Sequence, residues 1–386
     1  MSAPLRMLHL IHTPRHAGAE ILVADLATRH TRLGHAVSVA SLEPADSSFE
    51  LTSVQLASEG IPLHAPPSSL SKLQRVAHLR TAIRTSEPDV VFAHSVLPAL
   101  YGRVSLPFGN KIPKFVTVLH CGRNDDFSDD AYLELLERVL RWRTDCVVSV
   151  SEAGARAYRA RFGASSPIHT IKNGIDINRF GSGDRLSARK KYGLREDTKL
   201  LLQVGRISPL KGQAESIELL SSLVEQGQPN VQLWLAGLTE DSSYENKLRD
   251  MISSLSLESR VKLLGSRTDV AELLAAADLF LMPSVTESQG IALLEALASN
   301  ILVLASDIEA FQFAKNMRGV SLVPVQSSRF IEEAKRLLAL GERPYRVLDE
   351  FDIQRTSDNY LAMAQRLHAG RLIKTTKNSE IDVLAR

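Results

Sequence analysis

The sequence predicts an α/β protein of two halves, each a parallel β-sheet covered by helices on both faces. Three observations predict it. Short apolar runs alternate with amphipathic segments along almost all of the 386 residues. The runs are nearly continuous in Val, Ile and Leu, as in DVVFAH (89–94), KFVTVLH (114–120) and DCVVSVS (145–151), which suits strands buried on both sides. The rhythm breaks at RFGSGD (179–184) and then restarts, and a length of 386 at roughly 150 residues per domain gives two domains.

In chain order, 5–11 reads as a strand, 20–33 as a helix and 37–41 as a strand. Residues 71–84 read as a helix, with Leu73, Val76, Ala77 and Ile83 near helical spacing. Strands at 89–94, 114–120, 145–151 and 168–172 follow, the last two separated by a helix over 152–162. The second half runs strand 199–204, helix 213–226, strand 231–236 and helix 244–255. Strands at 261–264, 279–282, 301–304 and 320–323 follow with helices between them, and a helix over 353–367 closes the pattern. The expected domains are 1–180, 181–352, and a helix with a fraying tail over 353–386 that returns to the first domain.

Charged residues at 23% and hydrophobic ones at 44% exclude a disordered, collagenous or coiled-coil chain. No apolar run approaches the roughly 20 residues of a membrane span. His9, His12, Arg15 and His16 interrupt the place where a signal peptide needs its apolar core, so a cytoplasmic location is expected. Cys121 and Cys146 are too few for a disulfide framework. A net charge of 46 − 44 = +2 argues against a nucleic-acid partner. Charge is nevertheless uneven: no acid lies between Glu59 and Glu87, where Lys72, Arg75, Arg80 and Arg84 fall. That stretch is either a solvated helix face or a peripheral contact for anionic membrane.

In parallel sheets ligands bind beyond the carboxyl ends of the strands, so functional residues are expected in the segments that follow them. The chain has no GxxxxGK[ST], no HExxH, no GxSxG and no Asp-x-Asp, and its GxG lies in the linker. Asp125, Asp126, Asp129 and Asp130 cluster, and helix capping by Asp129 or Asp130 is preferred there to a metal. Neither metal nor cofactor is expected.

Four segments carry chemistry. ESQGIALLEALAS (287–299) places Glu295 inside an otherwise apolar helix, where an unpaired carboxylate is costly, and Glu287 eight residues earlier in a loop. VGRISPLKG (204–212) puts Arg206 and Lys211 around a turn that opens a helix, an anion site suited to phosphates. AGAE (17–20) follows the first strand with small residues, Ala17 and Gly18, that let backbone amides approach a ligand. KNGID (172–176) follows the last strand of the first half. The ordinary alternatives are an ion pair of Glu295 with a neighbouring Arg or Lys, plain surface cations near a turn for Arg206 and Lys211, and plain turns for AGAE and KNGID. Cys121 beside His120 is no nucleophile–base pair, because neighbours on a strand point to opposite faces.

Taken in order, GAE, a strand-end histidine, VSVSE, NGID, VGR…KG and Glu-x7-Glu, the chain resembles the retaining family-4 glycosyltransferases from about residue 5 to 368. The resemblance implies the GT-B fold, two facing Rossmann-like domains. It implies that Arg206 and Lys211 neutralise the diphosphate of a nucleotide-sugar donor in place of a metal, and that Glu295 accepts from the ribose hydroxyls. Glu287, with the amides near Gly290 and Ile291, would hold the transferred sugar. Gly18, beside Ala17, would sit at the diphosphate, His120 would contact the sugar, and Ser151 and Asn173 would line the cleft. The nucleotide sugar is a substrate, with UDP favoured over GDP, and the acceptor is a hydroxyl of a glycan or lipid-linked glycan. The chain departs from the family at Ala17, where a glycine is usual, at Gln289, where an aromatic is usual, and over 308–320, which lacks a Gly-Gly turn. A GT-B epimerase or phosphorylase, and a non-catalytic nucleotide-sugar-binding protein, are the alternatives.

Overall fold

The computed structural model describes residues 3–109, 111–120, 130–163 and 166–370. The chain forms two units, the first of residues 1–174 with 353–386 and the second of residues 175–352.

In the first unit β1 (Arg6–Ile11), α1 (Gly18–Arg32), β2 (Ala36–Ser41), α2 (Glu50–Ser58), β3 (Leu63–His64), α3 (Lys72–Ser86) and β4 (Val90–His94) come first. They are followed by α4 (Val96–Ser105), β5 (Lys114–Leu119), α5 (Ala131–Leu140), β6 (Cys146–Ser149), α6 (Glu152–Phe162) and β7 (Ile168–Thr170). The strands are all parallel, in the order β3-β2-β1-β4-β5-β6-β7. Strict alternation along β1 makes this a two-faced sheet. Met7 and Ile11 pack with Leu22, Val23 and Leu26 of α1, while Leu8 and Leu10 pack with Leu79, Ala82 and Ile83 of α3.

The second unit contains α7 (Ile177–Gly181), α8 (Arg185–Lys191), β8 (Lys199–Val204), α9 (Gln213–Glu225), β9 (Val231–Ala236), α10 (Ser242–Ser254) and β10 (Val261–Gly265). It continues with α11 (Val270–Ala276), β11 (Leu279–Met282), α12 (Ile291–Ala298), β12 (Leu302–Ser306), β13 (Val320–Val323) and α13 (Arg329–Leu340). Its parallel order is β10-β9-β8-β11-β12-β13. Leu200 and Leu202 of β8 pack with α11 and α12, and Leu201 with α9 and α13. The last helix, α14 (Ile353–His368), belongs to the first unit, where Ile353, Tyr360, Met363 and Ala364 join the core beside α1.

Two expectations differ from the structure. The break falls between Gly174 and Ile175, and RFGSGD lies inside the second unit. Gly183 serves close packing: a Cβ there would stand 2.6 Å from the Ala275 Cβ. On α3 the inward face is Leu79, Ala82 and Ile83; Leu73 is 84% exposed, and Ala77 is exposed as well. Cys121, Asp125, Asp126 and Asp129 lie outside the described residues. Asp130 caps α5, accepting from the amides of Tyr132 at 2.9 Å and Leu133 at 3.3 Å. Cys146 is buried in the first core.

Candidate functional site

Strand order reverses between β8 and β11 in the second unit, where each runs beside a strand of the opposite series. Parallel sheets open a ligand crevice at such a point. The segment after β8 carries Arg206 and Lys211; the segment after β11 carries Glu287. They meet there: Lys211 Nζ donates to Glu287 Oε1 at 2.5 Å, with both side chains mostly buried.

The surrounding backbone holds this geometry. Residues 209–211 form a 3₁₀ turn, and Gly212 enters α9 at φ +72°. A Cβ on Gly212 would lie 2.2 Å from the Pro283 carbonyl oxygen, so only glycine lets the two loops close. Val285 N donates to Leu210 O at 2.9 Å, tying them directly. Buried Gln203 on β8 donates to Lys211 O at 2.6 Å and accepts from Ser216 Oγ at 2.8 Å. Gln213 Nε2 donates to Arg206 O at 2.8 Å. On the other loop Ser306 Oγ donates to Ser284 O at 2.7 Å, and Ser284 Oγ donates to Glu287 Oε1 at 3.2 Å. Gln203, Gln213, Ser284 and Ser306 escaped the sequence reading. Gln203 had a visible signal, a neutral amide inside the otherwise apolar KLLLQV.

Arg206 is placed differently from Lys211. Its guanidinium pairs with Glu240, and both side chains are more than a third exposed. Gly290, at φ +77°, starts α12 without a side-chain cap, and its carbonyl accepts from the amides of Leu293 at 3.0 Å and Leu294 at 3.2 Å. A Cβ on Gly290 would meet Phe311 at 2.8 Å. Leu293, Leu294, Ala296 and Leu297 are buried, whereas Ile291, Ala292 and Glu295 are half-buried. Ile291 and Glu295, four residues apart, therefore share the half-buried stripe of α12. Gln289 is buried.

The remaining expected residues lie in the first unit. Ala17, extended at φ −136°, is the N-cap of α1 and Gly18 its first residue; the cap supplies no side-chain acceptor. Ser151 is the N-cap of α6, its hydroxyl accepting from Gly154 N at 3.1 Å, which commits it to starting that helix. Asn173 is buried beside Lys172, whose carbonyl accepts from Thr356 Oγ1 of α14 at 3.0 Å.

His120 follows β5 and ends a row of three imidazoles. His9 Nδ1 lies 3.0 Å from His94 Nε2, and His94 Nδ1 lies 2.8 Å from His120 Nε2. Register explains the row. His9 sits opposite Phe92, His94 lies two residues past Phe92 and opposite Val118, and His120 lies two residues past Val118. A period of two puts all three on the face covered by α14, where the Tyr360 ring stacks on His94 at 6.4 Å. His9 and His94 are fully buried and His120 half-buried. Burial pushes His9 down to about 3 and His120 to about 4, and holds His94 well below its ordinary value.

Comparison with known proteins agrees with both halves. Residues 16–179 match the model of Glycosyltransferase Family 4, and residues 184–348 match that of Glycosyl transferases group 1. The chain is 27% identical over 237 residues to N-acetyl-alpha-D-glucosaminyl L-malate synthase of Bacillus anthracis, covering 61% of this chain and 60% of that protein. It is 39% identical over 120 residues to the lipopolysaccharide glucosyltransferase WaaG of Escherichia coli K12, 31% of each chain. The aligned segments thus span less than two thirds of these curated relatives. Among solved structures, Anabaena HepE in complex with UDP-glucose superposes with a TM-score of 0.74 at 22% identity, over 94% of this chain and 99% of that one. With two parallel sheets and two matched domain models covering most of its length, the chain belongs to the GT-B glycosyltransferases, joining a family-4 half to a group-1 half.

Proposed function

We propose that the protein is a retaining, metal-independent glycosyltransferase. It moves a sugar from a nucleotide diphosphate, UDP in preference to GDP, to a hydroxyl of a glycan or lipid-linked glycan. The observation that carries this reading is the meeting of Lys211 and Glu287 at the point where the second sheet reverses.

Cleaving a glycosyl–diphosphate bond builds negative charge on the leaving phosphate, and a fixed cation aimed at it is the largest single stabilising device available. Lys211 is such a cation, held in place by Gln203, Gly212 and Glu287. Arg206 supplies the second charge. Its exposed pair with Glu240 is worth at most about 1 kcal/mol, so a diphosphate displaces it readily. Two cations leave no need for a metal. Glu287 divides its carboxylate between Lys211 and the transferred sugar, aided by the amides at Gly290 and Ile291. Glu295, on the half-buried stripe of α12, takes the ribose hydroxyls. Ala17, Gly18, His120 and Asn173 keep the roles the resemblance implies in the acceptor-side unit, while Ser151 acts through the α6 cap. UDP is favoured because the superposing HepE structure holds UDP-glucose.

Incubation with a panel of UDP and GDP sugars, with and without EDTA, tests the reading. Release of the nucleotide diphosphate that persists in EDTA and falls in Lys211→Ala supports it. Binding of UDP without release of any product would favour a non-catalytic protein, and release abolished by EDTA would overturn the metal-free mechanism.

A further inference from the structure

The imidazole row in the first unit does more than place His120. A neutral imidazole has one N–H and one bare nitrogen, so it can donate on one side only. Two ring-to-ring hydrogen bonds in series therefore admit two arrangements. In one, every proton points inward, and His9 ends the row with an N–H on Nε2. In the other, every proton points outward, and His120 ends the row with an N–H on Nδ1. Burial keeps all three rings neutral, which makes this an either–or choice.

The inner end decides between them. His9 Nε2 is fully buried and has no hydrogen-bond partner. The neighbouring ring, His30, gives its Nε2 proton to the Ser357 carbonyl at 2.9 Å, and its own Nδ1 makes no hydrogen bond to His9. An inward arrangement would strand an N–H in the core, and stranded buried donors are rarer than under-used acceptors. The outward arrangement leaves only a lone pair there. At the other end His120 is half-buried, so its outer nitrogen can be satisfied from outside the core.

We infer that His9 and His94 are positioning residues that fix His120 as the tautomer protonated on Nδ1, so that His120 meets its substrate as a hydrogen-bond donor and not as a base. His9 Nδ1–H donates to His94 Nε2, and His94 Nδ1–H donates to His120 Nε2. The lone pair of His120 is thereby used up inside the row. The part played at the substrate rests on the glycosyltransferase reading above; the tautomer itself does not.

Nitrogen-15 NMR of histidine-labelled full-length protein tests the assignment, with the His9, His94 and His120 signals identified from single substitutions. The expected result is a bare, pyridine-type Nε2 and a protonated Nδ1 at His120; the reverse pattern would overturn the inference. His9→Asn keeps a donor near the Nδ1 position and is expected to preserve the His120 pattern. His9→Leu removes the donor and is expected to mix the two tautomers and to lower kcat for sugar transfer about tenfold, the effect of one hydrogen bond. An unchanged His120 signal in His9→Leu would remove His9 from the role. A protein that turned over no nucleotide sugar yet showed the Nδ1–H signal would refute the function and leave the tautomer assignment standing.

Discussion

Lys211 and Glu287, 76 residues apart in sequence, share a hydrogen bond of 2.5 Å that joins the loops after the two central strands of the second sheet. The pair is mostly buried, so removing one partner strands the other. Glu287→Ala is expected to lower stability by about 1–3 kcal/mol, between the exposed and fully buried limits. Adding Lys211→Ala is expected to recover part of that loss. Urea denaturation of the two single variants and the double variant measures the coupling; additive losses would deny it.

Lys211→Ala is also expected to reduce turnover by roughly 10²–10³, the scale of losing one charge-stabilising group. Steady-state rates with the best donor of the panel provide the check, and a wild-type rate would refute the role.

Glu295→Ala is expected to weaken UDP binding by about 1–3 kcal/mol, since ribose hydroxyls lose their acceptor. Calorimetric titration reads this directly. Unchanged affinity would remove Glu295 from the donor site.

Gly212→Ala forces a Cβ to within 2.2 Å of the Pro283 carbonyl oxygen at a φ of +72°. Backbone strain of this kind costs about 1–3 kcal/mol. Loss of both stability and nucleotide affinity is expected, because the same turn carries Lys211; a lowered melting temperature with intact UDP binding would separate the turn from the site.

Acid should weaken the first unit. Burial lowers His9 to about 3 and His30 to about 4 in the folded protein, against an ordinary value of 6.5. The unfolded chain therefore binds more protons between those values. The stability these neutral rings contribute is complete above pH 6.5 and is lost, by several kcal/mol, as the pH falls toward 4. Urea midpoints at pH 7 and pH 5 should differ in that direction. His30→Gln should flatten the dependence.

Of the four cations from which a peripheral membrane contact was expected, three are exposed on α3. Lys72, Arg80 and Arg84 are exposed, but Arg75 is drawn into a pair with Glu43. Three cations at about 1 kcal/mol each should give measurable sedimentation with anionic vesicles and none with neutral ones. Equal sedimentation with both would dismiss the contact.

Most of the strands were legible because apolar runs buried on two faces leave a continuous signature; Val231–Ala236 and Leu279–Met282 stand where that signature puts them. β3 has only two residues, and ELTSVQLAS of α2 lacks a clear apolar stripe, so neither was read. Leu73 matched helical spacing yet faces outward, because spacing alone does not choose the side that is covered. Within the candidate site the charged residues were legible by chemistry and by their place after strands. Of the neutral groups that hold them, Gln203 left a signal as an amide inside KLLLQV, whereas Ser284 and Ser306 are small polar residues that no local pattern sets apart. The imidazole row was hidden for the same reason: no local pattern links His9, His94 and His120, which only sheet register brings side by side.

Because α14 completes the core of the first unit after the whole second unit has been threaded, synthesis and folding run out of step. Residues 175–352 are contiguous, so every strand of the second unit has been synthesised before α14. The N-terminal sheet must wait for Tyr360 and Met363 before the part of its face beside α1 is covered. A nascent chain halted shortly before residue 353 should thus hold the complete sequence of the second unit beside a first unit that lacks the last helix of its core.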